Sequence, residues 1–548
     1  MKLKAINLID FYKSGHKFQY PEGTELVYSN FTARSDCLAA HKSELWDSKV
    51  VFYGLQGVIQ WLLIDLFNDT FFKVSKEQAV GEYKRIMDKS LGEGLVPADH
   101  IAALHDLGYL PVLIKALPEG SRVNIGVPVF TVSSTLPEFY WLTNYLEDVL
   151  SSESWKSITT ATVAYEYRRT LDHYAELTGS PMDFVPWQGH DFSFRGVGGV
   201  YDAAQSNSGH LLSFLGTDTL PAIDYLEEYY GGKDTFIGGS VPATEHSVMC
   251  MGGKEDETET FRRLIEDTYP SGVISVVSDT WNLWEVVGGP TSIMARLKDK
   301  ILARQPNSLG LAKAVVRPDS GDPVDILCGY KIWDGDEKEY KANIQEIVSG
   351  NYTVHKRGGK YHFLGNLMDS DDCVFDLILA DEISEWEAKG VIECLWDIFG
   401  GTRTAKDFKV LNQRVGAIYG DSITLGRLTQ IEERLMDKGF ASCNVVFGIG
   451  SYTYQYATRD TYGFAMKATY GIVNGVEREL FKDPITDSGT KKSAKGLLRV
   501  EKVGNDFVLH DQQTSDQEAQ GELQPVFKDG KLLKFQTIEE IRARLLGS

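Results

Sequence analysis

The chain has 548 residues, of which 43% are hydrophobic and 24% charged, close to soluble globular averages, so disorder and fibrous repeats are excluded as its main character. Its 77 acidic residues outnumber 56 basic ones, for a net charge of −21; a broad nucleic-acid surface, which needs a basic footprint, is not expected. At roughly 100–200 residues per domain, the length suits two to four domains or one large fold with insertions.

In chain order, the first apolar stretch ends at Asp10 and is too short for a signal peptide. No apolar run approaches a membrane span. The six cysteines are scattered, without Cys-x-x-Cys or zinc-finger spacing. A reduced, cytoplasmic enzyme with no membrane partner is expected. Val163, Tyr167, Leu171 and Tyr174 recur at spacings of 3 and 4 and predict a helix over 163–177, stopped by Gly179 and Pro181.

From about Asp191 the pattern changes to short apolar runs that end in polar or glycine-rich turns. Val273–Val277 runs into Ser278-Asp279, and Ala314–Val316 into Arg317-Pro318-Asp319-Ser320-Gly321. Val415–Tyr419 ends at Gly420-Asp421, and Asn444–Phe447 at Gly448-Ile449-Gly450-Ser451. Leu425, Leu428, Ile431 and Leu435 mark an amphipathic helix between the last two. Strand, turn, helix, strand is the unit of a parallel sheet, and polar residues just after each strand suit the C-terminal face of an α/β barrel.

The expected division is 1–180 as part of a β-rich α+β domain, 181–455 as the barrel, and 456–548 returning to complete the β-rich domain. An insertion interrupts the barrel over 325–409, with a hairpin at Gly358-Gly359 and a helix from Glu382 to Phe399. Strand-like alternation follows Gly496, and Thr537 to Leu546 reads as a closing helix with Thr537 and Glu540 as a capping pair.

Several motifs carry candidate chemistry, each with a plain structural alternative. The glycines before Ser451 either form a simple turn or let backbone N–H groups cradle a phosphate. Between Gln455 and Val500, eight Lys/Arg face five Asp/Glu, which is either a solvated face or a polyanion pocket. Arg317 and Asp319 suit a phosphate oxygen and ribose hydroxyls, or form an ordinary Pro-Asp-Ser-Gly turn; Gly420-Asp421 follows the same logic. Alternation from His190 to Gly196 predicts Phe192 and Phe194 on one side and Arg195 on the other. Glu245-His246 is either a satisfied helix start or a catalytic histidine. Neither a P-loop nor a dinucleotide fingerprint is present.

Taken in order, these motifs resemble the nicotinamide-using branch of the type II phosphoribosyltransferases nearly end to end. The resemblance runs through Asp10-Phe11-Tyr12-Lys13, Gln19-Tyr20-Pro21, Phe52-Tyr53-Gly54-Leu55-Gln56, Tyr140–Asn144, His190–Gly196 and Gly216-Thr217-Asp218-Thr219. It continues through Ser240–Ser247, Ser275–Asp279, Arg317–Gly321, Gly420-Asp421, Thr458-Arg459-Asp460 and Phe481–Pro484. It implies an irregular α/β barrel plus a β-rich domain built from both chain ends, and a reaction joining nicotinamide to phosphoribosyl pyrophosphate.

By the same resemblance, Phe192 and Tyr12 sandwich the pyridine ring, Tyr12 coming from the partner in a homodimer with sites at the interface. Asp218 accepts the carboxamide N–H₂ and repels nicotinate; Asp10 and Ser275 also line the substrate site. Arg317, Asp319, Gly420 and Asp421 hold phosphate and ribose. Gly450, Ser451, Arg459 and Lys467 grip the 5′-phosphate, while Arg34, Arg195, Lys482 and Mg²⁺ bind pyrophosphate. His246, with Arg317 and Asp319, is catalytic and is phosphorylated by ATP. Ser451 stands where a second glycine is expected, Ala465 where a serine is usual, and the insertion is longer than in animal members.

The nearest alternative is use of nicotinate, which would call for a cation in place of Asp218. A barrel glycoside hydrolase would explain strand-end carboxylates but not the Lys/Arg cluster. A non-catalytic barrel that binds phosphate ligands would leave the combined ring, ribose and phosphate groups without a purpose.

Overall fold

A computed structural model describes residues 3–336, 338–340, 342, 347, 352–364, 379–481 and 494–547. Six strands run parallel in the order Gly216–Thr217, Gly189–Asp191, Val445–Ile449, Val415–Tyr419, Ala312–Arg317, Gly272–Val277. Gly239 bridges in parallel to Gly216 and Ala243 to Ser275, so the extended segment 239–243 closes the curled sheet into an irregular α/β barrel. Thr217 N donates to Gly239 O at 3.0 Å and Ser275 N to Pro242 O at 2.9 Å, which satisfies both sheet edges at once. Alternate strand residues such as Ala314, Val316, Ala417 and Phe447 turn outward and share one core with the surrounding helices.

The second body is a seven-stranded sheet to which both chain ends contribute. Thr24–Thr32 lies antiparallel to Ala465–Val473 on one side and to Pro128–Ser134 on the other. Gln524–Lys528 pairs with Val112–Ala116. The closing helix is Ile538–Leu546, with Thr537 and Glu540 forming a full capping box. Its Ile538, Ile541 and Leu545 pack on Tyr53, Leu211 and Leu226, which ties the two bodies together.

Two helices differ from the sequence expectation. The helix expected over 163–177 runs instead from Glu147 to Thr178 and ends at Gly179 with φ 70°. Its first half is rich in buried Ser and Thr, which hides the apolar period. Thr159 and Thr162 donate to the carbonyls of Trp155 and Ile158, four residues back, whereas the buried hydroxyls of Ser154, Ser157 and Thr160 have no partner among the described residues. The second spans Glu385–Phe399, capped by Ser384 and broken at Gly390, whose φ of 79° interrupts the helix, while Glu382 belongs to the strand Leu379–Ile383.

Within 325–409 the chain makes three kinds of structure, one of them a two-stranded sheet of Gly401–Arg403 with Lys409–Leu411. Pro323–Cys328 and Glu385–Phe399 pack together in the barrel's outer layer. Ile332–Trp333, Val354–Arg357, Lys360–Leu364 and Leu379–Ile383 form a separate four-stranded sheet with its own small core, and the Gly358-Gly359 hairpin is part of it.

Candidate active site

The strand ends converge at one mouth of the barrel. Phe192 follows Gly189–Asp191, and a Cβ placed on Gly420 would lie 2.9 Å from its ring. Gly448 is closer still: a Cβ there would strike the same ring and sit 2.7 Å from Gly420 Cα. Two glycines thus form a flat floor on which Phe192 rests. The alternation expected through Gly196 stops at Asp191. Asp191 Oδ1 accepts both Ser193 N (2.9 Å) and Ser193 Oγ (2.6 Å), the chain turns, and Phe194–Gly196 becomes a 3-10 helix with Phe194 exposed.

Asp218 sits one residue past Gly216–Thr217. His190 Nε2 lies 2.9 Å from its Oδ1, and Ser240 Oγ donates to the same oxygen. Burial alone would raise the Asp218 carboxyl, but the hydrogen bonds from His190 and Ser240 and the charge of Arg317 outweigh it and hold the group below the usual carboxylate range. Ser275 is buried with its hydroxyl unpartnered, in the strand that the closing segment joins.

Arg317 ends its strand, and its Nη2 donates to Thr244 O at 2.6 Å. Asp319 N and Ser320 Oγ donate to Asp279 Oδ2 at 2.9 and 2.6 Å. The other oxygen of Asp279 faces His246 Nε2 at 3.3 Å, at the start of the helix His246–Gly252. Burial pushes the Asp319 carboxyl up, Asp279 and Asp421 push the same way, and Arg317 and His246 oppose them. Tyr419 OH donates to Gly321 O at 2.8 Å, tying this turn to Gly420-Asp421.

Gly450 precedes the single turn Ser451–Tyr454. A Cβ on Gly196 would lie 2.5 Å from Ser451 Cβ, so the turn carrying Arg195 abuts this glycine corner. Arg459 lies in the exposed 3-10 turn Arg459–Thr461. Lys467 is exposed on Ala465–Val473, and its carbonyl accepts from Asn30 Nδ2 at 3.1 Å. Arg34 Nε donates to Gly463 O at 2.9 Å, beside the Arg459 turn. Ala465 is buried. Lys482, with Lys491 and Lys492 of the basic stretch, lies outside the described residues.

Tyr12 and Asp10 belong to a different neighbourhood. The 3-10 segment Phe11–Gly15 is pinned by buried Lys13, whose Nζ lies 3.1 Å from Glu147 and 3.5 Å from Asp148. Asp10 N donates to Asp148 Oδ2 at 3.0 Å. With Lys13 turned inward, Phe11 and Tyr12 are 50% and 61% exposed, two aromatic rings presented to the outside.

Three residues at this mouth escaped the sequence reading as site residues: His190, Ser240 and Asp279. Asp279 carried the same signal as Asp319 and Asp421, a carboxylate just past a strand. His190 and Ser240 gain meaning only when the barrel closes and brings them to Asp218. Among the described residues, no group of three or more His, Cys, Asp or Glu is arranged to hold a metal.

The profile of the nicotinate phosphoribosyltransferase (NAPRTase) family matches residues 187–531. The chain is 55% identical over 544 residues to a nicotinamide phosphoribosyltransferase of Acinetobacter baylyi, covering 99% of this chain and 97% of that one. A nicotinamide phosphoribosyltransferase of Mycoplasma pneumoniae is 31% identical over 511 residues, covering 90% and 95%. Among solved structures, nicotinate-nucleotide pyrophosphorylase from Pyrococcus furiosus aligns with a TM-score of 0.51 at 14% identity, covering 99% of this chain and 94% of that one. Human nicotinic acid phosphoribosyltransferase aligns with a TM-score of 0.51 at 13% identity, covering 98% and 93%; both share the fold. The chain belongs to the nicotinate phosphoribosyltransferase family.

Proposed function

We propose that the protein joins nicotinamide to 5-phosphoribosyl 1-pyrophosphate, giving nicotinamide mononucleotide and pyrophosphate in NAD salvage. The observation that carries this reading is Asp218, an ionised carboxylate at the barrel mouth bonded to His190, whose ring in turn packs edge-on against Phe192 at 4.9 Å. A carboxylate accepts the carboxamide N–H of nicotinamide and repels nicotinate, which sets the nicotinate-using alternative second.

In the reaction the pyridine nitrogen attacks C1′ of the ribose as the C1′–O bond breaks, and the electron pair leaves with pyrophosphate. The carbon passes through an oxocarbenium-like state, so rate comes from holding the partners in line and from cations on the leaving group. Phe192 stacks on one face of the ring, and Tyr12 of a second copy covers the other. Ser275 lines the same site, and Asp10 reaches it with Tyr12 from the second copy. Arg317, Asp319, Gly420 and Asp421 hold phosphate and ribose hydroxyls. Gly450, Ser451, Arg459 and Lys467 hold the 5′-phosphate, and Arg34, Arg195 and Lys482 the pyrophosphate. Mg²⁺ carried on the pyrophosphate would supply further neutralisation of its charge beside these cations.

His246 takes a phosphoryl group from ATP and couples its hydrolysis to substrate capture. Asp279 orients the imidazole and balances positive charge on it. Turnover of each base with phosphoribosyl pyrophosphate and Mg²⁺ tests the reading. Mononucleotide from nicotinamide, reduced at least about 100-fold in kcat/KM by Asp218→Ala, is expected. Equal turnover of nicotinate by the unaltered protein would refute it.

A further inference from the structure

Asp218 is held from two sides by residues that the substrate roles above leave unused. His190 comes from the strand Gly189–Asp191, and Ser240 from the segment that closes the barrel. Both aim at the same carboxylate oxygen, Oδ1. Because a carboxylate only accepts, Nε2 of His190 must carry a proton, and the Ser240 hydroxyl must give its proton to Asp218. The Ser240 Oγ to His190 Nε2 separation is 3.4 Å, longer than either oxygen contact. The imidazole cannot swing freely: a Cβ on Gly216 would lie 2.6 Å from His190 Nδ1, and the Phe192 ring stands edge-on to it at 4.9 Å.

We infer that His190 and Ser240 are positioning residues that saturate Oδ1 of Asp218 and so present Oδ2 alone, in a fixed direction, to the carboxamide N–H₂ of the base. The inference rests on the nicotinamide reading above. It assigns discrimination between the two pyridine bases to a three-residue clamp rather than to Asp218 alone. Two donors on one oxygen also keep the carboxylate ionised, which maintains the repulsion of a second carboxylate. A loose Asp218 would turn away from nicotinate at little cost; a clamped one cannot.

The test compares steady-state kinetics for nicotinamide and nicotinate in the full-length protein and in His190→Phe, His190→Gln and Ser240→Ala. Gln can place an N–H donor near the position of the imidazole Nε2, whereas Phe fills the space without a donor. The expected result for His190→Phe and Ser240→Ala is a rise of roughly tenfold in KM for nicotinamide with kcat within about twofold. The preference for nicotinamide over nicotinate should narrow in parallel, and His190→Gln should restore most of it. Should His190→Phe fail to fold, Ser240→Ala carries the test, since Ser240 is exposed.

Unchanged KM and unchanged base preference in Ser240→Ala and in folded His190→Phe would overturn the clamp. So would a fall in kcat alone, or an Nδ1–H tautomer of His190 in the ¹⁵N spectrum. If the unaltered protein fails to prefer nicotinamide at all, the functional reading itself is refuted. That result is separate from the clamp, because it appears before any substitution is made.

Discussion

At the scale of single residues, the site depends on what is missing as much as on what is present. Gly420 and Gly448 have no side chain because the Phe192 ring occupies that space. Gly448→Ala is therefore expected to lift the ring, to cost on the order of 100-fold in kcat/KM for nicotinamide, and to lower Tm as well, because its Cβ would also meet Gly420 Cα at 2.7 Å; unaltered kinetics would count against the glycine floor. A different residue sets a pH dependence of the fold. Glu432 is fully buried, its carboxyl pushed up by burial from 4.5 to about 8, and among the described residues only Ser442 Oγ donates to it, at 3.0 Å. The folded state therefore holds a proton that the unfolded chain releases, and stability falls as pH rises through the window from 4.5 to about 8. Glu432→Gln keeps a Ser442 partner without the titration, so its Tm should be flatter across that window and higher than that of the unaltered protein above it. Parallel Tm–pH curves for the two proteins would contradict this.

At the scale of elements, legibility followed burial pattern. Gly272–Val277, Ala312–Arg317, Val415–Tyr419 and Val445–Ile449 are parallel strands covered by helices, and such strands read as unbroken apolar runs. Gly189–Asp191 and Gly216–Thr217 are too short and polar to show that pattern, and 239–243 pairs only through isolated bridges. Those three pieces bring His190, Asp218 and Ser240 together, which is why Asp218 was found through family resemblance and its two neighbours were not found. The capping pair of the last helix was legible because its signal is local. Thr537→Ala should cost about 1 kcal/mol, measured by denaturant unfolding. An effect below a few tenths would mean that packing of Ile538 and Ile541 alone fixes the helix.

At the scale of the whole molecule, both ends of the chain meet in one sheet beside a barrel whose mouth gathers Phe192, Asp218, His246, Asp279 and Asp319. Tyr12, exposed and anchored by Lys13, completes a site in this account only when a second copy supplies it. Tyr12→Ala and Phe192→Ala proteins, dissociated together and reassembled, should therefore recover about a quarter of full activity. Half of the random dimers are mixed, and each mixed dimer has one intact site. No recovery would place both rings in one chain. The most direct measurement of the central claim is a competition. Equimolar nicotinamide and nicotinate are given to the protein with limiting phosphoribosyl pyrophosphate and Mg²⁺, and the two mononucleotides are counted by mass spectrometry. Almost exclusively nicotinamide mononucleotide is expected, with the excess lost in Asp218→Ala. A product pool dominated by nicotinate mononucleotide would contradict it.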